Sequence, residues 1–159
     1  MSPYDTLVFR HKEDRCNMDF VMPKLEWDVS YSVGVASFDA QHKYIFNYIN
    51  ELRDTMMGKK GHDAVDKILV SLLDYTNGHF FNEEIMLFKH EFPDFDVHKA
   101  EHDKFLSEIR GLYVRFKAGE TDSRLISAEI IAVVTELLQE HIMKTDMEYT
   151  SYLNSKGVR

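Results

Sequence analysis

Prolines occur only at Pro3, Pro23 and Pro93, so residues 24–92 and 94–159 are two long stretches with nothing to interrupt a helix. Glycine adds just 7 flexible points in 159 residues. A β-sandwich needs turn residues about every 8–12 positions, and this chain lacks them. Leu, Met, Glu, Lys and Ala are plentiful and favour helix. The expectation is an all-α fold with few, short loops, and the length suits one domain.

Apolar residues recur with helical spacing in four segments. His42, Ile45, Phe46, Ile49, Leu52 and Met56 share one face, with Ser37 or Asp39 as a candidate cap and Gly58 and Gly61 at the end. Val65, Ile68, Leu69, Leu72, Thr76, His79, Glu83, Met86 and Leu87 share a second face, closed by Pro93. His98, His102, Phe105, Ile109, Leu112 and Phe116 form the third, ended by Gly119. Ile126, Ile130, Val134, Leu137 and His141 form the fourth and continue towards Tyr149 and Tyr152, after candidate caps Thr121, Asp122 and Ser123. Four amphipathic helices with short connections predict an antiparallel, up-down-up-down four-helix bundle. Residues 25–36 are aromatic and β-branched but have no partner strand, so they read as an extended arm lying on the helices. Residues 1–24 show no sustained period and read as an N-terminal extension, leaving 25–155 as the bundle domain.

The stripes that should be wholly apolar carry polar residues. His42 lies on the first, His79 and Glu83 on the second, His98 and His102 on the third and His141 on the fourth. Both pairs are four apart, so each stacks on one helix face. One histidine on an apolar face is ordinarily a core residue satisfied by a single hydrogen bond. Five imidazoles and a carboxylate converging in one interior are another matter, because each unpartnered polar group costs a few kcal/mol to bury. A metal is the simplest common partner for such donors. One six-coordinate ion or two ions sharing a carboxylate would both use this set. Two ions call for a second carboxylate, and Asp146 is the candidate. Its spacing of five from His141 turns it about 140° around a regular helix, so it joins only where the helix is locally distorted, as by a bulge. A solvated acid is the alternative. Glu84 is off the stripe, and His11, His62 and His90 lie outside the ligand faces.

Charge and cysteine narrow the function further. The net charge is −8, and the longest basic run is Lys59-Lys60, which argues against nucleic acid as a partner. Cys16 is the single cysteine, so an intrachain disulfide and a thiolate zinc cage are both excluded. The longest strictly apolar run, Ile130–Val134, is far short of the about 20 residues of a membrane span. The N-terminus has no apolar signal region, which points to a cytoplasmic protein.

The segment Trp27-Asp28-Val29-Ser30-Tyr31-Ser32-Val33-Gly34-Val35 with Phe38-Asp39-Ala40-Gln41-His42 resembles the N-terminal signature of the hemerythrins, bacterial ones especially. His79 to Glu83 resembles their H-x-x-x-E motif, His98 to Phe105 their H-x-x-x-H-x-x-F, and His141 to Tyr149 their H-x-x-x-x-D-x-x-Y. The resemblance covers about residues 25–153. It implies two non-haem iron ions with an oxo or hydroxo bridge: His98, His102 and His141 on one, His42 and His79 on the other, Glu83 and Asp146 bridging. The second iron, with one fewer protein ligand, would take molecular oxygen end-on as a hydroperoxide and release it again. Leu137, Leu138 and Ile142 would line the oxygen pocket, and Leu137 stands where many members have tryptophan. The implied function is reversible oxygen binding for storage, delivery or sensing, with no catalytic residue and an unidentified protein partner for delivery or signalling. The alternative is a di-iron peroxidase, oxidase or nitric-oxide-handling enzyme at the same site. The chain contains no Glu-x-x-His, the pairing used by ferritin-like di-iron proteins.

Overall fold

A computed structural model describes residues 24–58 and 61–159. The expected extension, with His11 and Cys16, lies outside the described residues apart from Lys24. Helices α1 (Ala36–Met56), α2 (His62–Lys89), α3 (Phe95–Lys117) and α4 (Ser123–Glu136) form the four-helix bundle expected from the sequence. α1 packs on α2 and α4, and α3 packs on the same two neighbours. The fourth rod changes character along its length: α4 passes into a π-helical segment, Leu137–Thr145, and then into α5, Asp146–Ser155. No described helix is long and apolar enough to cross a membrane.

The helix ends follow local chemistry. The Asp122 side chain caps α4 by accepting from the amides of Arg124 and Leu125 at 2.9 and 2.8 Å. Neither Ser37 nor Asp39 caps α1, which starts at Ala36 with no side-chain cap. Asp39 instead accepts from Ser32 Oγ at 2.6 Å and the Val33 amide at 2.8 Å, pinning the arm to the first turn. α2 ends on Glu91 in the left-handed region at φ 57°, a conformation that costs a non-glycine residue about 1 kcal/mol.

The arm is extended, as expected, except for a 3-10 turn at Val29–Tyr31. Trp27 and Tyr31 pack edge-on against Phe46, with ring centroids 5.5 and 4.9 Å away. Asn50 exchanges two 2.9 Å hydrogen bonds with the backbone of Leu25. Gly34 has φ +66°, and a Cβ there would meet Thr150 and Asn154 at 3.2 and 3.3 Å, so both the backbone conformation and the close passage of α5 favour glycine at this point.

The interior divides along the bundle axis. Leu52, Val65, Leu69, Leu72, Ile109, Phe116, Ile126 and Ile130 are buried at one end and provide the apolar core. The other end draws on the start of α1, the end of α2, the start of α3 and the π segment. There, with the first residue of α5, the buried polar residues include His42, His79, Glu83, His98, His102, His141 and Asp146.

Candidate metal centre

All seven polar residues singled out from the sequence meet at this end of the bundle. The π segment explains how Asp146 joins them. Its backbone amide donates to the His141 carbonyl, five residues back, which turns the Asp146 side chain onto the His141 face. Asp146 Oδ1 then lies 3.1 Å from His141 Nε2. The distortion that the spacing required is present where it was required.

Among the described residues, two groups of potential ligand atoms lie within 4.8 Å of one another: His42, His79 and Glu83, and Glu83, His98, His102 and His141. The two carboxylates straddle these groups. Glu83 Oε1 is 2.6 Å from His98 Nε2 and 3.4 Å from His102 Nε2, while its Oε2 is 3.7 Å from His79 Nε2. Asp146 Oδ1 faces His141 and, at 3.7 Å, His98, while Oδ2 is 3.5 Å from His42 Nε2. Each carboxylate thus presents one oxygen to each half.

Outer hydrogen bonds fix the imidazoles and form a regular pattern. His79 Nδ1 donates to Gln41 Oε1 at 2.8 Å, His102 Nδ1 to Glu84 Oε1 at 3.0 Å, and His141 Nδ1 to Glu101 Oε2 at 2.7 Å. Each acceptor adjoins a site residue in sequence and serves a histidine on the next helix. Such partners hold the ring orientation and raise the basicity of the other nitrogen. Glu84 therefore reaches the site after all, as a supporting acceptor rather than a ligand. Tyr149, fully buried, donates its hydroxyl to Glu83 Oε2 at 3.0 Å, and Phe80 stacks on His102 at 3.7 Å.

With the proton on Nδ1, His79 and His102 each present an Nε2 lone pair to the interior. His102 and His141 bring their Nε2 atoms to 2.9 Å, and His42 and His79 to 3.1 Å. Each close approach is satisfied by a proton on one of the two nitrogens or by a metal cation that both ligate. Both oxygens of Asp146 are buried with no well-formed hydrogen bond among the described residues; the nearest cationic group is His141 at 3.1 Å, and a metal cation would further offset the cost of burying the carboxylate. Imidazole nitrogen with carboxylate oxygen suits iron, copper, nickel or zinc better than calcium or magnesium. The residues present fit a pair of such ions.

Electrostatics separate the halves. Burial pushes His42 and His79 down to about 4, against the opposing pull of Glu83. Burial also presses on His141, but Asp146 and Glu101 hold it up at about 9. Burial would raise Glu83, yet hydrogen bonds from His102 and His98 keep it well below the usual carboxylate range. Burial and the Glu83 charge push Asp146 up.

Leu137, Leu138 and Ile142 are buried on the π segment that carries His141. His62 stands apart, its ring stacked on Phe116 at 4.3 Å in the apolar half. His90 follows the end of α2, and its carbonyl accepts from the Tyr152 hydroxyl at 2.8 Å.

Comparison with known proteins agrees with this arrangement. Residues 33–153 match the Hemerythrin HHE cation binding domain. The chain is 33% identical over 135 residues to bacteriohemerythrin of Methylococcus capsulatus, covering 84% of this chain and 100% of that protein. It is 30% identical over 137 residues to myohemerythrin of Theromyzon tessulatum, covering 86% and 100% respectively. The crystal structure of wild-type hemerythrin superposes with a TM-score of 0.73 at 33% identity, covering 81% of this chain and 97% of that one. With its bundle, its paired donor groups and these relatives, the chain belongs to the hemerythrin family.

Proposed function

We propose that this chain binds dioxygen reversibly at a pair of non-haem irons. His98, His102 and His141 would hold one iron, His42 and His79 the other, with Glu83 and Asp146 shared. Two irons, linked by an oxo or hydroxo group, would supply the electrons that an oxygen molecule borrows on binding and returns on release. The observation that carries the reading is the straddling of both carboxylates across unequal sets of three and two imidazoles. The smaller set leaves one position fewer filled by protein, which suits one small ligand.

The protein's own work is to hold this asymmetry and keep water out. The Nδ1 hydrogen bonds of His79, His102 and His141 fix three rings. Tyr149, its phenol pushed well above its ordinary range by burial and by Asp146 and Glu83, stays protonated and donates to Glu83. Leu137, Leu138 and Ile142 would line an apolar oxygen pocket, which limits proton leakage to bound oxygen.

The test is anaerobic reduction of the iron-loaded protein, addition of oxygen and removal of oxygen, followed by visible absorption. A band that appears with oxygen and leaves under vacuum supports a carrier, store or sensor. An irreversible change to the ferric form, with turnover of a reductant, would instead identify a di-iron enzyme. Leu137→Trp should slow autoxidation by narrowing the pocket; an unchanged rate would remove Leu137 from it.

A further inference from the structure

Three of the five imidazoles at the centre are tethered through Nδ1, but His42 and His98 are not: both are buried, and neither Nδ1 has a partner among the described residues. A buried ring nitrogen without a partner is uncommon. His98 lines a cavity of about 100 Å³ beside the turn between α2 and α3. The same cavity is lined by Asp94, Glu101, Thr145 and Glu148 and, among the described residues, by no lysine or arginine.

Asp94 occupies the N-cap position of α3 yet makes no side-chain capping bond, although aspartate there ordinarily accepts from an amide two or three residues on. Glu101 gives one oxygen to His141 and keeps 45% of its side chain exposed. Asp94 and Glu148 are exposed at the rim. An acidic mouth therefore borders an imidazole that is free at Nδ1, while the Nε2 of that imidazole faces Glu83 and Asp146.

We propose that this cavity is the port through which a divalent cation of the Fe(II) class reaches the buried donors. Asp94, Glu101 and Glu148 draw the hydrated ion in and replace part of its water. His98, free at Nδ1, rotates about its Cβ–Cγ bond and passes the ion inward. His79, His102 and His141 are unsuited to this step because each is anchored at Nδ1. The step exchanges ligands only, with no change of oxidation state. It rests on the two-iron reading, and its test separates the two.

Metal-free protein would be mixed anaerobically with ferrous ion alone, and uptake followed by stopped flow to its end point. The double variant Asp94→Asn with Glu148→Gln should take up iron roughly tenfold more slowly at low salt and reach the same final content. Uptake by the unmodified chain should slow as salt is raised to about 0.5 M, where surface charges are screened. Glu108→Gln, a loss of exposed charge outside the cavity, serves as the reference and should leave the rate unchanged. Equal rates for the double variant and the unmodified chain, or uptake indifferent to salt, would overturn the port. A final content far from two irons per unmodified chain would instead count against the two-iron reading, whatever the rate.

Discussion

On one side of the Glu83–Asp146 pair stand three imidazoles, two of them hydrogen-bonded to the carboxylates Glu84 and Glu101. On the other side stand two, one of them hydrogen-bonded to the neutral amide of Gln41. Anionic partners make an imidazole a stronger donor, and three donors hold an ion more completely than two. On the proposed two-iron reading, the three-histidine half would favour retention of its ion and the two-histidine half exchange of an external ligand. The shared carboxylates couple them, so the halves differ in strength without being independent.

Loss of a shared carboxylate should damage both halves at once. Glu83→Ala removes the group that faces His79, His98 and His102. Iron content measured after anaerobic loading should fall from about two per chain to below one, an affinity loss of at least about 100-fold at each half. Retention of one full iron would show that the halves do not depend on this bridge.

Single histidines should separate the halves. His79→Ala should leave about one iron per chain, held by His98, His102 and His141, whereas His102→Ala should leave less. His90→Ala should keep both, since His90 is outside both donor groups. Identical losses for His79→Ala and His102→Ala, by metal analysis, would erase the contrast.

The metal-free protein should show the contrast as pH dependence. His42 and His79 have folded values of about 4, below the ordinary 6.5. Their contribution to stability is present above pH 6.5 and lost as pH falls towards 4. His141 has a folded value of about 9, so its contribution is present below pH 6.5 and lost as pH rises through 9. Denaturant midpoints should fall on both sides of an optimum, each limb on the order of a few kcal/mol. His79→Asn should flatten the acid limb and His141→Asn the alkaline limb; the reverse assignment would contradict the electrostatics.

The smallest effect concerns the outer partners. Glu84→Gln or Glu101→Gln should weaken metal binding by roughly tenfold, read as a shift in a competitive chelator titration. Gln41→Glu should strengthen the two-histidine half by a similar factor. No shift in either direction would mean that the charge of these partners is immaterial.

Much of this was legible in the sequence because the donors sit on otherwise apolar stripes. His42, His79, Glu83, His98, His102 and His141 all interrupt a helical repeat of core residues, and the burial that makes them costly makes them visible. Asp146 was harder, since five-residue spacing points away from His141 in a regular helix. Only the π segment, a departure from the common hydrogen-bond pattern, brings it round. Gln41, Glu84 and Glu101 were missed as partners for the opposite reason: they lie just off the stripes, where polar residues are ordinary. Their signal was adjacency, each beside a site residue and so turned towards the neighbouring helix. Asp39 looked like a cap because it lies near a helix start, but the arm folding back over α1 offered its carboxylate two closer donors. Local sequence could not show that contact, which depends on where the arm lies.

The most direct test of unequal, coupled halves is Mössbauer spectroscopy on metal-free protein titrated anaerobically with ferrous iron. The structure predicts uptake of two equivalents and two ferrous doublets of equal area, reporting two different donor sets. Saturation at one equivalent, or two irons giving a single doublet, would contradict it.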